Sequence, residues 1–176
     1  MISNQDESTV IRVAGSDDLP ALTEIYNQAI ALRSATADLE PVTVSERRQW
    51  LGAHPADTYP VFVAEVSRRV TGYCSLSPYR EGRQALRHTA EISYYIHEDW
   101  RGRGYGSQLI AHAIEVAPTL GFSVLFAILL DVNTDSVRIL EKFGFERWGH
   151  LPEVADFDGA ICGHFYYGLS LGKSAG

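Results

Sequence analysis

Apolar residues recur along this chain at two spacings, every second residue and every third or fourth residue, which are typical of strands and helices respectively. The predicted strands share a short apolar run bounded by polar or turn residues, and they are 11–13, 61–66, 70–76, 89–97, 123–130, 145–150 and 164–171. The predicted helices share an apolar stripe, and they are 16–33, 43 or 45 to about 53, 104–117 and 136–143. This order, β-α-α-β-β-β-α-β-α-β-β, predicts an α/β fold with a mixed sheet and helices packed on it.

The pattern indicates one domain. Residues 10–172 contain no linker, internal repeat or low-complexity segment, and residues 1–9 are predicted to be a polar tail. A chain of 176 residues has the usual length of a single domain, and it can bury a sizeable core without disulfides. The tail is polar and acidic, so it does not have the pattern of a signal or transit peptide.

Composition and charge argue against several classes of function. Acidic residues number 22 and basic residues 15, so the formal net charge is −7. This disfavours nonspecific binding to nucleic acid or to an anionic membrane, and the longest apolar run, 124–130, is too short to span a bilayer as a helix. Two cysteines, Cys74 and Cys162, and scattered histidines show neither a disulfide framework nor a metal set. We therefore expect a cytoplasmic protein with no metal, no nucleic-acid partner and no membrane partner.

The most informative segment is a glycine-rich turn between the strand at 89–97 and the helix at 104–117. Its sequence over 100–107 is Trp-Arg-Gly-Arg-Gly-Tyr-Gly-Ser. Glycines let backbone N–H groups approach a ligand, and the following helix adds unpaired N–H donors and the positive end of its dipole. With Arg101 and Arg103 the turn predicts an anion site, and a pyrophosphate suits it best. A Walker A loop is absent and the G-x-G-x-G spacing differs from the dinucleotide fingerprint, while a turn that only caps the helix stays an alternative.

The strand before this turn has one polar face and one apolar face. The polar face carries Glu91, Ser93, Tyr95 and His97, and the other face carries Ala90, Ile92, Tyr94 and Ile96. A parallel strand covered on both sides is expected to be apolar throughout, so the polar face indicates either a cleft or solvent. The pattern alone leaves both open, and the adjacent anion turn favours the cleft.

The pattern Arg-x-x-Gly-x-Gly at 101–106 resembles the acetyl-coenzyme A pyrophosphate loop of the GNAT superfamily of N-acetyltransferases. Asn-x-x-Ser at 133–136 and Phe-Gly-Phe at 143–145 are similar to that superfamily's later helix and the strand after it. Other segments resemble phosphinothricin N-acetyltransferase-like members, namely 25–27, 40–43, 76–80, 87–91 and 136–138. The resemblance covers about 10–171. It implies a GNAT-like fold, with a central, mostly antiparallel sheet that is splayed at the acetyl-CoA strand and flanked by helices.

The resemblance also implies that acetyl-CoA is the co-substrate. Backbone groups of Tyr94, Tyr95 and Ile96 are expected to pair with its pantetheine arm, and a backbone N–H there is expected to polarise the thioester carbonyl. Asn133 is expected to contact the same arm, unless it serves only as a helix N-cap. The pyrophosphate is expected to lie against Arg101, Gly102, Arg103, Gly104, Tyr105, Gly106 and Ser107.

Acetyl transfer requires a neutral amine, yet amines titrate near ~8 to ~10, so a base is needed. Glu91 matches the acidic residue of the family in this strand and is the candidate general base, unless it is only a surface salt-bridge partner. Position 140, where superfamily members often carry a tyrosine that protonates the leaving thiolate, is Leu140 here. A thiol titrates near ~8.5, so water can supply the proton. Tyr95, Tyr166 and Tyr167 are the other candidates.

Members of this type acetylate small amino-acid-like amines such as phosphinothricin, methionine sulfoximine and methionine sulfone. The resemblance therefore implies such an acceptor, and it also implies a homodimer. The substrate's carboxylate favours an arginine partner. The predicted substrate residues are Tyr79 and Arg80 in the matching loop, and Thr36 beside Ala37, where relatives carry phenylalanine. Two alternatives stay open: acetylation of a protein or peptide N terminus, and a non-catalytic acyl-CoA-binding module.

Overall fold

The computed structural model describes residues 8–172, so residues 1–7 of the predicted tail lie outside the described residues. The strands of the described chain are β1 (Val10–Val13), β2 (Val61–Val66), β3 (Arg69–Pro78), β4 (Thr89–Ile96), β5 (Val124–Leu130), β6 (Glu146–Phe157) and β7 (Ala160–Ser170). The helices are α1 (Leu19–Ala31), α2 (Val44–Gly52), α3 (Tyr105–Val116) and α4 (Thr134–Lys142). The predicted order of elements is confirmed.

All seven strands form one sheet in the order β1-β2-β3-β4-β5-β7-β6. The neighbours pair antiparallel except β4 and β5, which pair parallel. The mixed sheet predicted from the pattern of elements and the mostly antiparallel pairing implied by the resemblance are therefore confirmed. A parallel pair needs a crossover connection, and the glycine-rich turn followed by α3 supplies it.

Helices cover both faces of the sheet, and the alternation along β2 shows how the core is divided. Phe62 and Ala64 pack with residues of α3 and α4, whereas Val61 and Val63 pack with residues of α1. Trp50 of α2 borders the second group. Successive side chains of a strand point to opposite faces, so α1 and α2 cover one face and α3 and α4 the other.

The start of α2 is set by a capping box. The Thr43 hydroxyl accepts from the Glu46 N–H at 3.2 Å, and the Thr43 N–H donates to the Glu46 carboxylate at 2.7 Å. Two otherwise unpaired N–H groups are thereby satisfied. Thr43, one of the two predicted starting residues, is therefore the N-cap, and α2 presents Arg47 and Trp50 to the sheet.

The last two strands are longer than the sequence pattern predicts. They form a hairpin in which β6 runs to Phe157 and β7 starts at Ala160. Asp158 and Gly159 both have positive φ, +56° and +100°, as a tight hairpin turn requires. The alternation of apolar and polar residues that indicates a strand is missing in β6, because β6 is an edge strand and most of its residues are exposed. The Asp-Gly dipeptide was the signal that could have located the turn.

Candidate active site

Two cavities meet at the point where β4 and β5 separate. The strands pair only over 89–91 and 124–126, and the last pair joins Glu91 to Phe126. Beyond that pair β4 continues to Ile96 and β5 to Leu130, with no further pairing between them. A gap therefore opens in the sheet, as expected for a sheet splayed at this strand.

The first cavity, the gap cavity, lies in this opening and has a volume of about 510 Å³. Its walls are 92–96 of β4, 127–129 of β5, the glycine-rich turn and the start of α4. The predicted cofactor residues that line it are Tyr94, Tyr95, Ile96, Arg101, Gly102, Gly104, Tyr105, Gly106, Ser107 and Asn133. Arg103 does not line it, and its guanidinium lies 4.9 Å from the centre of the Trp100 ring.

The free edge of β4 faces the gap cavity. His97 donates its N–H to the Thr71 carbonyl at 2.9 Å, on the β3 side of the strand. Backbone groups alternate in direction along a strand, so those of Tyr94 and Ile96 point away from β3 and toward the gap, while those of Tyr95 point to β3. The Ile96 carbonyl accepts from the side chain of Arg101 at 3.2 Å. Of the three residues predicted to pair with an extended ligand, Tyr94 and Ile96 thus have the required orientation.

The glycine-rich turn has the backbone that an anion site needs. Gly102 and Gly104 have φ of +74° and +89°, a region that residues with a Cβ rarely adopt. Gly104 is the N-cap of α3 and brings no side-chain cap, and the first backbone bond of the helix runs from Gln108 to the Gly104 carbonyl at 3.1 Å. The N–H groups of residues 105–107 are therefore left for a ligand.

Asn133 is the N-cap of α4 and lines the gap cavity at the same time. Its side-chain carbonyl accepts from the Ser136 N–H at 3.2 Å, so its amide NH₂ group stays available to the cavity. Leu140 lies two turns further along α4, also at the cavity wall, and is 1% exposed. Tyr94 packs beside it in the same cluster, and burial raises the pKa of Tyr94 to about 12, with Ser136 opposing the rise.

The second cavity, the Glu91 cavity, lies on the α1–α2 face of the sheet and has a volume of about 330 Å³. Glu91, Ser93 and Tyr95 line it from β4. The pairing of β3 with β4 shows no register shift, so the predicted faces of β4 are confirmed. The two cavities share the wall residues Ala35, Ser93, Tyr95, Ile128 and Leu129.

Glu91 is half-buried at this cavity, and burial raises the pKa of its carboxyl group. No described residue forms a hydrogen bond or ion pair with that carboxyl, so it does not belong to a surface salt bridge within residues 8–172. The neighbouring Ser77 hydroxyl does not donate to Glu91 but to His54 Nε2 at 2.9 Å. Nε2 is the acceptor nitrogen of the His54 ring because Nδ1 donates to the Trp50 carbonyl at 2.7 Å. A carboxylate with raised proton affinity is thus left free to accept a proton from a ligand.

The three predicted substrate residues differ in position. Thr36 lines the Glu91 cavity and hydrogen-bonds the Tyr26 hydroxyl at 3.1 Å. Tyr79 packs its ring 4.7 Å from that of Phe126, and Arg80 is exposed. Neither Tyr79 nor Arg80 lines either cavity.

Sequence reasoning missed several residues that line the Glu91 cavity from the helices and from β3. They are Tyr26, Arg47, Trp50 and Tyr73. Arg47 follows the ordinary polar pattern of α2 and stands beside the exposed Arg48, so no signal in the sequence distinguishes the two. Only the packing of α2 on β3 brings Arg47 inside.

The part of the chain that the structure describes contains neither a candidate metal site nor a helix suited to a membrane. Within residues 8–172 no group of three or more His, Cys, Asp or Glu residues could hold a metal ion. None of the helices between these limits is long and apolar enough to cross a bilayer.

Comparison with known proteins gives consistent matches. The profile of the Acetyltransferase (GNAT) family matches residues 21–145. The chain is 41% identical to the Bacillus subtilis (strain 168) protein YwnH over 150 residues, 85% of this chain and 91% of that protein. It is 36% identical to an L-methionine sulfoximine/L-methionine sulfone acetyltransferase of Pseudomonas paraeruginosa (strain DSM 24068 / PA7) over 148 residues, 84% of this chain and 86% of that protein. A solved structure of a phosphinothricin acetyltransferase from Sinorhizobium meliloti in complex with AcCoA has a TM-score of 0.89 at 27% identity, covering 95% of this chain and 90% of that one.

Proposed function

Because this chain belongs to the acetyltransferase (GNAT) family, we propose that it transfers the acetyl group of acetyl-CoA to the amine of a small amino-acid-like acceptor, with Glu91 as general base. One observation carries the proposal: the gap cavity and the Glu91 cavity share a wall beside β4. Two ligands, one in each cavity, can therefore meet next to the strand that carries the base.

The residues of the gap cavity fit acetyl-CoA, which supplies an activated acetyl carbonyl when it is bound. The N–H groups of residues 105–107 and the Arg101 side chain offer donors and positive charge for its pyrophosphate. The backbone of Tyr94 and Ile96 and the amide NH₂ group of Asn133 offer hydrogen bonds for its pantetheine arm. Gly102 and Gly104 keep the turn free of side chains at positive φ.

Glu91 removes a proton from the acceptor. An ammonium group has no lone pair for attack, and amines titrate near ~8 to ~10, so most of the acceptor is charged at neutral pH. The raised pKa of the Glu91 carboxyl brings its proton affinity closer to that of the amine, and its lack of a described partner leaves its oxygens free. A positioned base of this kind contributes roughly 10²–10⁴-fold to the rate.

The leaving thiolate has no protein acid at position 140, because Leu140 is a buried apolar residue. Among the tyrosines considered as substitutes, Tyr167 is buried and donates to Glu141 at 3.0 Å, and Tyr166 packs against Phe126. Of these three tyrosines, Tyr95 is the one that lines the wall shared by the two cavities. A thiol titrates near ~8.5, so the thiolate is a tolerable leaving group, and it receives through water the proton that the attacking nitrogen loses as the amide forms.

A thiol-release assay with acetyl-CoA and a panel of acceptors tests the proposal. The panel contains amino acids, methionine sulfoximine, methionine sulfone, phosphinothricin, a polyamine and a peptide with a free N terminus. We expect turnover with the small amino-acid-like amines and little with the polyamine or the peptide. Preference for the peptide would favour a protein N-acetyltransferase, and acetyl-CoA binding without turnover of any amine would favour a binding module.

Two wider expectations, a homodimer and a cytoplasmic location, stay predictions. The sheet edge at β6 supports the first, since it exposes the large apolar side chains Trp148, Leu151 and Val154. Such exposed residues are typical of an interface when they are contiguous. Sedimentation of the purified protein tests the oligomeric state, and a single species of 19.5 kDa would contradict the dimer.

A further inference from the structure

Arg47 is a buried arginine in the wall of the Glu91 cavity. Arg47 is only 5% exposed, and its guanidinium lies among three aromatic rings. The centre of the Trp50 ring is 3.8 Å from its Cζ, that of Tyr26 is 4.4 Å away and that of Tyr73 is 5.4 Å away. These rings hold the planar group by stacking and cation–π attraction.

The positive charge of Arg47 has no negative partner in residues 8–172. One terminal nitrogen donates to the Tyr73 hydroxyl at 2.6 Å, and Nε is buried without any hydrogen-bond partner in that range. By contrast, Arg12 near the start of the chain binds the carboxylates of both Asp18 and Glu65. A buried charge is costly unless it is paired, so Arg47 is in the state expected of a group whose counter-ion is a ligand.

From this we propose that Arg47 binds the carboxylate of the acceptor and thereby selects α-amino acids over amines that lack an acid group. The inference rests on the proposed acetyltransferase function and identifies the residue that recognises the substrate's acid group. Glu91 and Arg47 border one cavity, and an α-amino acid carries its amine and its carboxylate on the same carbon. An acceptor held by its carboxylate at Arg47 therefore keeps its amine in the cavity that contains the base.

The assignment moves carboxylate recognition away from Arg80. Arg80 matches the family loop in sequence, but it is exposed and lines neither cavity. A guanidinium in water binds a carboxylate weakly because both ions are hydrated, whereas one that is already desolvated and held by rings loses little freedom on binding. The Arg47 guanidinium is therefore the better carboxylate site of the two.

The test measures binding instead of turnover, so that it does not depend on acetyl transfer. L-Methionine sulfone and its α-carboxamide are titrated into the protein with saturating CoA, by calorimetry and by intrinsic tryptophan fluorescence, to which Trp50, stacked on Arg47, contributes. A pH of about 6 keeps the amine of both probes protonated. We expect the wild-type protein to bind the carboxylate about tenfold or more tightly than the carboxamide, as loss of a charge-assisted bidentate pair predicts.

Three variants locate the effect. Arg47→Met is expected to bring the ratio of the two affinities close to one while changing the affinity for the carboxamide by less than about threefold. Arg48→Met removes an exposed arginine from the next position of α2 and is the matched control, with the ratio unchanged. Arg80→Met is expected to keep the ratio as well. Three results would each overturn the proposal. The first is an affinity ratio that Arg47→Met leaves unchanged, and the second is an equal loss of affinity for both probes in Arg47→Met. The third is loss of the affinity ratio in Arg80→Met.

The proposal stays testable if Arg47→Met fails to fold, which its melting temperature shows. A wild-type protein that does not distinguish the carboxylate from the carboxamide contradicts the proposal without any variant. Arg47→Lys then serves as the second variant. We expect a reduced ratio of the two affinities, because lysine keeps the charge but lacks the paired donors of the guanidinium and its stacking on the rings. Absence of turnover with every amine would refute the proposed function, whereas the binding ratio would still decide the role of Arg47.

Discussion

Glu91 lies directly opposite Ser77 in the antiparallel ladder of β3 and β4, and both side chains border the Glu91 cavity. Ser77 donates its hydroxyl hydrogen to His54, so it does not use that hydrogen to satisfy the Glu91 carboxylate. The residue directly opposite in the ladder therefore does not pair with the Glu91 carboxylate. This arrangement explains how a half-buried carboxylate can keep both oxygens for a ligand.

Glu91→Gln is expected to lower kcat at neutral pH by about 10²–10⁴-fold, because the amide cannot accept the proton of the acceptor ammonium. Glu91 acts as a base only when ionised, so the wild-type rate falls as pH drops through its raised pKa. In the variant this acidic limb is lost, and the residual rate rises with pH as the free amine forms in solution near ~8 to ~10. Initial rates between acid and alkaline pH measure both effects.

Glu115→Gln is the control for that series, since Glu115 is exposed on α3 and lines neither cavity. It is expected to leave the pH–rate profile unchanged. An unchanged profile in Glu91→Gln itself would remove Glu91 from the base role.

Gly104→Ala is expected to raise KM for acetyl-CoA while the acceptor KM changes little. Gly104 has φ of +89° at the start of α3, and alanine there costs roughly 1–2 kcal/mol, so the turn shifts or the protein loses stability. Gly121→Ala is a matched control, because Gly121 has φ of +88°, also has open space around its Cβ position, and does not line the gap cavity. Steady-state kinetics combined with urea unfolding separates the two effects. Equal KM values for the two variants would mean that the turn does not hold the donor.

Asn133 caps α4 and is proposed to contact acetyl-CoA, and two substitutions separate the cap from the proposed contact. Asn133→Ala removes the cap of α4 and is expected to lower the free energy of unfolding by about 1 kcal/mol. Asn133→Asp keeps an acceptor for the Ser136 N–H but removes the amide NH₂ group, so it is expected to preserve stability and still raise KM for acetyl-CoA. If Asn133→Asp binds acetyl-CoA as the wild type does, Asn133 is only a helix cap.

Asp18 contributes to stability above acid pH. Burial alone would raise its pKa, but the Arg12 guanidinium, with two contacts of 2.8 Å, and the Gly15 N–H hold the pKa below its usual range. Its stabilisation is therefore present above the unfolded pKa of about 3.9 and is lost as pH falls through the lower folded pKa. Asp18→Asn is expected to lower the free energy of unfolding by about 1–3 kcal/mol at pH 7.

Urea unfolding at pH 7 and at about pH 3 tests this assignment, since the difference between Asp18→Asn and the wild type is expected to shrink in acid. Asp17→Asn is the matched control, because Asp17 is exposed and makes no ion pair among the described residues. A constant difference between the two pH values would show that the Asp18 charge does not contribute.

Much of the fold can be predicted from local sequence. The alternation in β4 correctly places Glu91 and Tyr95 on the face opposite Tyr94, because side-chain direction in a strand depends only on position parity. The sequence pattern predicts the hairpin of β6 and β7 too short, because an exposed edge strand shows little alternation of buried and exposed residues. The turn at Asp158 and Gly159 carried the missing signal.

The candidate site also has a part that the local sequence predicts and a part that it does not. The glycine-rich turn could be identified as a candidate anion site because the proposed contacts are backbone N–H groups of one contiguous segment, and the glycine spacing indicates that geometry directly. In the Glu91 cavity the sequence named Glu91 and Thr36 but not Arg47, because Arg47 comes from a separate element and only the packing of α2 on β3 brings it beside them. Tyr79 and Arg80 match the family in sequence, yet the structure places neither at a cavity wall.

By itself the sequence determined the order of the elements, the glycine turn before α3 and the polar face that carries Glu91, since hydrophobic periodicity and positive-φ glycines act over a few neighbouring residues. Only the tertiary structure decided which polar side chains share a cavity. Arg47 and Arg48 are indistinguishable as adjacent residues, but Tyr26 and Tyr73, far along the chain, close over one of them and leave the other in water. Burial, and with it the chemistry of a charge, depends on what packs against a residue.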